Sequence, residues 1–402
     1  MTDYSRTEAA ERAGVRVDEL ATLVELGIVR PGAGDRFSPG DVRRAALAQS
    51  LKVAGIPLDG MGKAIQRGTV SLDFLDAPVY ERFAALGNVT FQQLSDRTAV
   101  PIELLLLIRE ASGSAPASPE DRMREDELAV ADFIEGQVKA GFRPIAIERL
   151  IRVQGDSLRR MAETEAEWWR SEVTGPALAA GVPPEEMSAT DLSTNLSLLA
   201  DRSVMAMYRA QQAHAWTGNI ISGMEAQLSA AGLHSRLERP PAMCFLDITG
   251  YTRLTQERGD SAAAELAGTL SRLVQRASVQ HGGRPVKWLG DGVMFYFPDP
   301  GPGVVAALEM VDGVAGAGLP PAHVGLHAGP IIFQEGDYYG QTVNVASRIA
   351  EYARSGEVLV SQAVVDAVAA GNGLGATFTE IGPVELKGVG GPMGLYAAHR
   401  GS

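Results

Sequence analysis

Four side chains stand out for the chemistry that their types and settings allow. Asp247 closes the apolar, strand-like run Met243-Cys244-Phe245-Leu246 and precedes the turn-forming Ile248-Thr249-Gly250-Tyr251-Thr252. Asp291 sits in Gly290-Asp291-Gly292, a hairpin signal between two strand-like runs, residues 284–289 and 293–297. A carboxylate at so tight a turn projects into solvent or toward a ligand. Asn344 and Arg348 lie four apart where a helix begins, so they share one face of it. Each also has a plain reading. An Asp at a strand end commonly forms a turn or caps a helix, and an Asn/Arg pair at this spacing commonly caps or bridges. Lys287, on an edge strand, is by default solvated. What sets these residues apart is their joint order and spacing.

The elements that must position them change character along the chain. From Ala242 onward, short strands alternate with helices: a helix over residues 262–279, the hairpin just described, a strand over 324–329, a loop over 336–340, and a helix from Asn344. Two Pro-rich breaks precede this region, Gly175-Pro176 through Pro183-Pro184 and Arg239-Pro240-Pro241. Between the breaks, residues 191–233 read as one or two long helices, with Leu192, Leu196, Leu199, Val204 and Met207 at helical spacing and Asp191 as N-cap. The first 172 residues read as helical with a faint internal repeat, residues 12–20 against 97–105 and 52–57 against 138–143. The expected division is therefore 1–90 and 91–174 as two helical units, 175–240 as linker and transducing helices, and 241–402 as the alternating domain. The fold class is α+β, an all-helical N-terminal region followed by an α/β domain.

Composition narrows the function classes. The 402 residues are 45% hydrophobic and 21% charged, as in an ordinary globular protein. One cysteine, Cys244, excludes an internal disulfide framework and any zinc site built on several cysteines. The N-terminal stretch lacks the basic flank and apolar run of a signal peptide, and nowhere do 18 consecutive apolar residues occur. A cytoplasmic protein without a membrane span is the expectation. A net charge of −13 argues against non-specific nucleic-acid binding. An anionic substrate would need local cations or metal ions to be held at all.

Residues 245–252 (FLDITGYT), 286–294 (VKWLGDGVM) and 336–348 (GDYYGQTVNVASR) together resemble the catalytic domain of class III nucleotide cyclases, and 386–389 (LKGV) resembles that family's closing Lys-Gly segment. The resemblance spans about residues 241–399 and implies a ferredoxin-like cyclase domain. By position it implies that Asp247, Asp291 and the carbonyl of Ile248 bind two divalent metals, Mg²⁺ or Mn²⁺. Carboxylates suit these hard cations, which also bind phosphate oxygens. One metal would lower the pKa of the ribose 3′-hydroxyl, and the other would stabilise the triphosphate charge. Arg348 matches the transition-state arginine and Asn344 the residue that orients the ribose. Lys287, four before Asp291, and Asp337, seven before Asn344, match the pair that reads adenine. Lys387 matches a triphosphate contact. ATP is the expected substrate, and the family's shared sites imply a homodimer with active sites at the subunit interface.

Residues 9–65 resemble the winged helix-turn-helix of MerR-type regulators, through Ala13-Gly14-Val15, residues 25–31 (ELGIVRP), 36–42 (RFSPGDV) and 54–58 (AGIPL). The stretch in the place of the DNA-reading helix, residues 19–25 (ELATLVE), carries no cation and no tyrosine. Reading base edges and phosphates needs donors and cations, so DNA binding is not expected. The leading reading is an adenylyl cyclase regulated by its N-terminal helical half. The alternative is a DNA-binding transcription regulator with a nucleotide-sensing, cyclase-like domain. His214, His234 and His281 are the histidines through which pH could act, against the plain reading of surface or satisfied rings.

Overall fold

Several N-terminal helices begin where a side chain supplies the missing hydrogen bonds. The Ser5 hydroxyl accepts from the Glu8 N–H and the Glu8 carboxylate accepts from the Ser5 N–H, starting α1 (Arg6–Ala13). Gly14, left-handed at φ 69°, ends that helix, and α2 (Val17–Glu25) follows. Ser38 and Asp41 form the same reciprocal cap on α3 (Pro39–Val53), which a short turn joins to α4 (Leu58–Gln66). The computed structural model describes residues 3–76, 80, 86–182, 191–233, 240–250, 256–257, 259–290, 292–370 and 375–401.

A two-stranded antiparallel ribbon, β1 (Leu86–Thr90) with β2 (Arg122–Arg124), departs from the all-helical expectation for this region. Gly87 permits the ribbon, because a Cβ there would lie only 3.1 Å from the Met123 carbonyl oxygen. Around the ribbon are α5 (Phe91–Thr98), α6 (Ile102–Ala111), α7 (Glu125–Lys139) and α8 (Pro144–Trp169), with α9 (Gly175–Ala179) beyond. The turn joining α5 to α6 runs through Ala99 at φ 58°, in the place that Gly14 takes between α1 and α2. Arg109 on α6 donates twice to the buried Glu127 carboxylate on α7, at 2.8 Å each, fastening the two helices. One apolar core gathers Leu20, Ile28 and Phe37, and another gathers Phe91, Leu105, Ile108 and Ile134. Residues 191–230 form one continuous helix, α10 (Asp191–Ala230), though the Asp191 side chain lies outside the described residues. The chain divides into units at residues 1–222 and 223–402.

The C-terminal unit is built on β3 (Ala242–Ile248), α11 (Asp260–Gln280), β4 (Arg284–Leu289), β5 (Gly292–Phe297), α12 (Pro300–Gly316) and β6 (Ala322–Ala328). This is a βαββαβ unit with sheet neighbours β6-β3-β5-β4, the ferredoxin-like order. Next come β7 (Ile332–Gln334) and β8 (Asp337–Tyr339), α13 (Gln341–Tyr352), β9 (Val358–Ser361), α14 (Gln362–Ala369), β10 (Ala376–Val384) and β11 (Met393–Arg400). The sheet extends as β10-β11-β9-β6-β3-β5-β4, and only the β6–β9 pair is parallel. Residues 336–340, read from sequence as a loop, contain the short strand β8, which pairs with β7. Gly336 and Gly340 flank so brief a strand that it shows no alternation.

Strand alternation decides which side chains meet which helices. Cys244, Leu246, Ile248, Phe295, Val324 and Leu326 point to one face and join a core with Val274 of α11, Met310 of α12 and Val364 of α14. Cys244 is fully buried there, and desolvation pushes its thiol far above the usual range. The intervening residues point to the face that α13 covers, where Met243, Met294, Tyr338 and Ala346 cluster. Gly325 of β6 is the point of closest approach: a Cβ there would sit 2.1 Å from the Ala350 amide nitrogen of α13.

Candidate active site

The same alternation carries Asp247 to the α13 face, two residues beyond Phe245 on β3. Its partner across the ladder is His323, at the start of β6. His323 Nε2 lies 3.7 Å from Asp247 Oδ2. On the ring's other side, Nδ1 meets the Thr249 hydroxyl at 3.3 Å, and that hydroxyl accepts from Ser355 Oγ at 2.7 Å. A Cβ added at Gly292 would lie 3.3 Å from Asp247 Oδ1 and 3.1 Å from the Leu246 carbonyl oxygen. The first residue of β5 thus lies against the Asp247 carboxylate. Asp291, one residue earlier, is outside the described residues.

A second cluster joins strands that are distant in sequence. Lys287 on β4 forms an ion pair with Asp337 on β8. The other Asp337 oxygen, Oδ1, accepts from the Tyr338 N–H at 2.8 Å, which orients the carboxylate. Aromatic contacts dock the β7–β8 hairpin here. The Tyr338 ring stacks on Tyr296 of β5 with centroids 4.8 Å apart and planes 5° from parallel. The Arg284 guanidinium lies 5.2 Å from the Tyr296 centroid and 5.8 Å from that of Phe333, and it also donates to the Tyr338 hydroxyl.

α13 carries the remaining polar residues. Val345, Ala346, Ile349 and Ala350 are its buried side, which leaves Asn344, Arg348 and Glu351 at i, i+4 and i+7 on the other. The buried Thr342 hydroxyl donates to the Pro330 carbonyl at 2.7 Å and fixes where the helix starts. Arg348 Nη1 meets both Glu351 carboxylate oxygens, at 2.5 and 2.6 Å, and these hydrogen bonds hold the guanidinium pKa above its ordinary value. Among the described residues the exposed Asn344 side chain has no hydrogen-bond partner. Lys387, between β10 and β11, is exposed and makes no ion pair among the described residues.

The structure therefore brings Lys287 to Asp337, puts Asn344 and Arg348 on one helical face, and sets Asp247 beside the end of the β4–β5 hairpin. Lys387 joins none of these groups. His323, Thr249, Ser355 and Glu351 belong to the same neighbourhoods; the sequence reading took Thr249 only as part of a turn and did not single out the other three. Glu351 was discoverable as an i, i+3 partner of Arg348, whereas His323 needs the β3–β6 register. Among the described residues, no three His, Cys, Asp or Glu side chains gather as a ready-made metal site. The donors present nonetheless suit Mg²⁺ or Mn²⁺, which protein sites commonly hold through one or two carboxylates together with substrate phosphates. Asp247 offers a partly exposed carboxylate and Ile248 a backbone carbonyl at the same strand end. A cavity of about 750 Å³ is lined wholly by the N-terminal unit, including Arg30, Arg43, Arg44 and Asp73, and contains none of these residues.

Residues 321–399 match the family model described as the adenylate and guanylate cyclase catalytic domain. This part of the chain carries a cyclase catalytic domain. The matched stretch contains Asp337, Asn344, Arg348 and Lys387, while Asp247, Ile248, Lys287 and Asp291 precede it. The chain is 28% identical over 322 residues to a pH-sensitive adenylate cyclase of Mycobacterium tuberculosis, covering 78% of this chain and 79% of that protein. It is 26% identical over 278 residues to an adenylate cyclase of Streptomyces coelicolor, covering 68% and 70% respectively. Among solved structures, an adenylyl cyclase of P. aeruginosa aligns at 20% identity and a TM-score of 0.35, covering 41% of this chain and 95% of that one. Among the described residues of the cyclase-bearing chain, no helix is long and apolar enough to cross a membrane.

Proposed function

We propose that the protein is an adenylyl cyclase that converts ATP to 3′,5′-cyclic AMP and pyrophosphate. The observation that carries this reading is the Lys287–Asp337 pair, set on the sheet face that also bears Asp247 and α13. An ammonium can donate to a ring nitrogen of adenine, and a carboxylate can accept from its exocyclic amino group. Guanine, with a carbonyl oxygen at that position, would face the wrong partner in Asp337. In the single subunit the two groups hold each other, so both are oriented before a base replaces the mutual contact.

Asn344 positions the ribose, and Arg348 supplies a fixed cation where charge builds on the α-phosphate. The 3′-oxygen forms its bond to the α-phosphorus in line with the breaking bond to the bridging oxygen, and pyrophosphate leaves with that oxygen. Positioning and electrostatics supply most of the catalysis in such transfers. Asp247, Asp291 and the Ile248 carbonyl would hold two Mg²⁺ or Mn²⁺; bound there, they acidify the 3′-hydroxyl and neutralise triphosphate charge. Lys387 lies toward the triphosphate in this assignment.

The active sites are shared between two copies of the chain. Trp288 and Leu289 on β4, Ile332 and Phe333 on β7, and Tyr339 on β8 are exposed around Lys287 and Asp337, an apolar band that a second copy would cover. The N-terminal unit acts as a regulatory module and not as a DNA reader. Its α2 presents Glu19, engaged by Arg16 and Lys52, where a reading helix would need cations.

The test is turnover of ATP and of GTP with Mn²⁺, for the intact protein beside Asp291→Ala. Cyclic AMP from ATP alone, lost in the variant, is the expected result. Silence from both the intact chain and a truncation starting near Arg236 would refute the cyclase. Mixing Asp247→Asn with Arg348→Ala tests the shared site, because a mixed dimer regains one complete site. No recovery in a mixture proven to form mixed dimers would refute sharing.

A further inference from the structure

We propose that His323 is a positioning residue for the Asp247 carboxylate, with its ring locked by Thr249 and Ser355. The inference rests on the reading of Asp247 as a metal ligand. Three separate segments converge on this point: the turn after β3, the first residues of β6, and the loop that follows α13. That loop is tied to β6 by the Gly356 N–H, which donates to the Ala322 carbonyl at 2.8 Å, and by the Val324 N–H, which donates to the Glu357 carbonyl at 2.9 Å. Ser355, immediately before these two residues, is therefore held beside β6.

The hydrogen-bond order fixes the ring. Ser355 Oγ donates to Thr249 Oγ1, so the Thr249 hydroxyl proton is available to His323 Nδ1. With Nδ1 accepting from Thr249, Nε2 is the ring nitrogen that carries a proton, and it faces Asp247 Oδ2. At 3.7 Å the contact is an electrostatic restraint and not a full hydrogen bond. It steadies one oxygen of a carboxylate whose other oxygen, Oδ1, packs beside Gly292. The His323 side chain is only 12% exposed, against 45% for Asp247, so the rigid partner is the histidine. Groups that orient a ligating carboxylate typically change metal affinity by 10–100-fold when removed. The length of this contact places His323 at the lower end. The same loop terminates α13, so the network also ties the carboxylate to the helix that bears Arg348.

The experiment titrates Mn²⁺ alone into the full-length protein and reads free Mn²⁺ by electron paramagnetic resonance, with thermal midpoints recorded for every variant. His323→Leu should raise the Mn²⁺ dissociation constant about tenfold. His323→Gln, which returns an N–H at similar reach, should restore affinity to within about threefold of the wild type. Thr249→Val keeps the bulk but frees the ring and should weaken binding about threefold. It decides the matter if His323→Leu does not fold. Asp247→Asn is the reference and should lose the site. Wild-type affinity in His323→Leu, or in Thr249→Val where the former does not fold, alongside loss in Asp247→Asn would overturn the role of His323 alone. Unchanged binding in Asp247→Asn would overturn the ligand assignment and the positioning role with it. Equal weakening by Leu and Gln would also overturn it, since a packing role makes no use of the N–H.

Discussion

Gly325→Ala should separate the position of α13 from the presence of its side chains. Gly325 lies mid-strand on β6, opposite Phe245 of β3 and Leu359 of β9. A Cβ there would lie 2.1 Å from the Ala350 amide nitrogen, 2.7 Å from the Ala350 Cα and 2.7 Å from the Ile349 carbonyl carbon. All three are backbone atoms of a packed helix, so no side chain can swing aside. Restoring an ordinary 3.4 Å contact needs about 1.3 Å of movement between β6 and α13. Overpacking of this kind costs about 1–3 kcal/mol. For a domain of this size that lowers the thermal midpoint by roughly 2–12 °C. The same displacement moves Asn344 and Arg348, and a 1 Å misplacement costs about 10²-fold in rate. Lys287 and Asp337 sit on other elements, so the KM for ATP should stay within about threefold while kcat falls by about 10²-fold. Initial rates of cyclic AMP formation over a range of ATP, together with melting curves, measure both. Gly316→Ala, where a Cβ meets nothing within 4 Å, is the control and should be silent. A Gly325→Ala protein with unchanged midpoint and unchanged kcat would refute the reasoning.

The other expectations follow from single contacts. Lys287→Met removes a charged donor and should raise the KM for ATP by on the order of 10–10²-fold while narrowing the ATP-over-GTP preference; an unchanged ratio of the two nucleotides in initial-rate assays would count against base reading by Lys287. Arg348→Ala should cost on the order of 10²–10³ in kcat. Glu351→Gln breaks only an exposed pair and should shift kcat less than about fivefold; a loss as large as that of Arg348→Ala would make Glu351 part of the machinery. Burial lowers the His327 pKa below that of a free imidazole, so the folded protein keeps this ring neutral where the unfolded chain protonates it. Its stabilising contribution is therefore complete above about pH 6.5 and is lost as pH falls below that value, at no more than about 1.4 kcal/mol per pH unit. His327→Asn should flatten that decline in urea midpoints between pH 7 and pH 5, and parallel curves for the two proteins would contradict it.

What the sequence made legible is what local signals encode. The run from Met243 to Leu246 had to be a buried strand, and an Asp at its end had to reach a turn. Gly-Asp-Gly between two apolar runs had to join β4 to β5, and those strands pair as expected. The four-residue spacing of Asn344 and Arg348 had to put them on one face once α13 formed. Other features depend on register between segments far apart in the chain, which no window of sequence contains. His323 reads as an ordinary strand residue until β3 and β6 are paired, and only then does it stand opposite Asp247. The Lys287–Asp337 contact needs β8 to exist, yet three residues between glycines give a strand no detectable period. Its existence comes from tertiary packing: Tyr338 stacks on Tyr296, and Arg284 spans both rings with Phe333. The ribbon at β1 and β2 was hidden for a similar reason, because Gly87 permits a close backbone approach that leaves no hydrophobic signature.

That division has a consequence for how the site works. The chemistry-bearing residues are short-range features of strand ends and one helix face, whereas their mutual placement is set by the β3–β6 register and by Gly325 under α13. A substitution that preserves every functional side chain but shifts either relation should therefore cost about as much activity as removing one of them. A change such as Glu351→Gln, which alters a side chain and leaves the relations intact, should cost little. Asp247 makes the point most directly. It is a common residue near the end of a strand, and what distinguishes it is the pleat that aims it at the α13 face, with His323 opposite and Gly292 leaving it room.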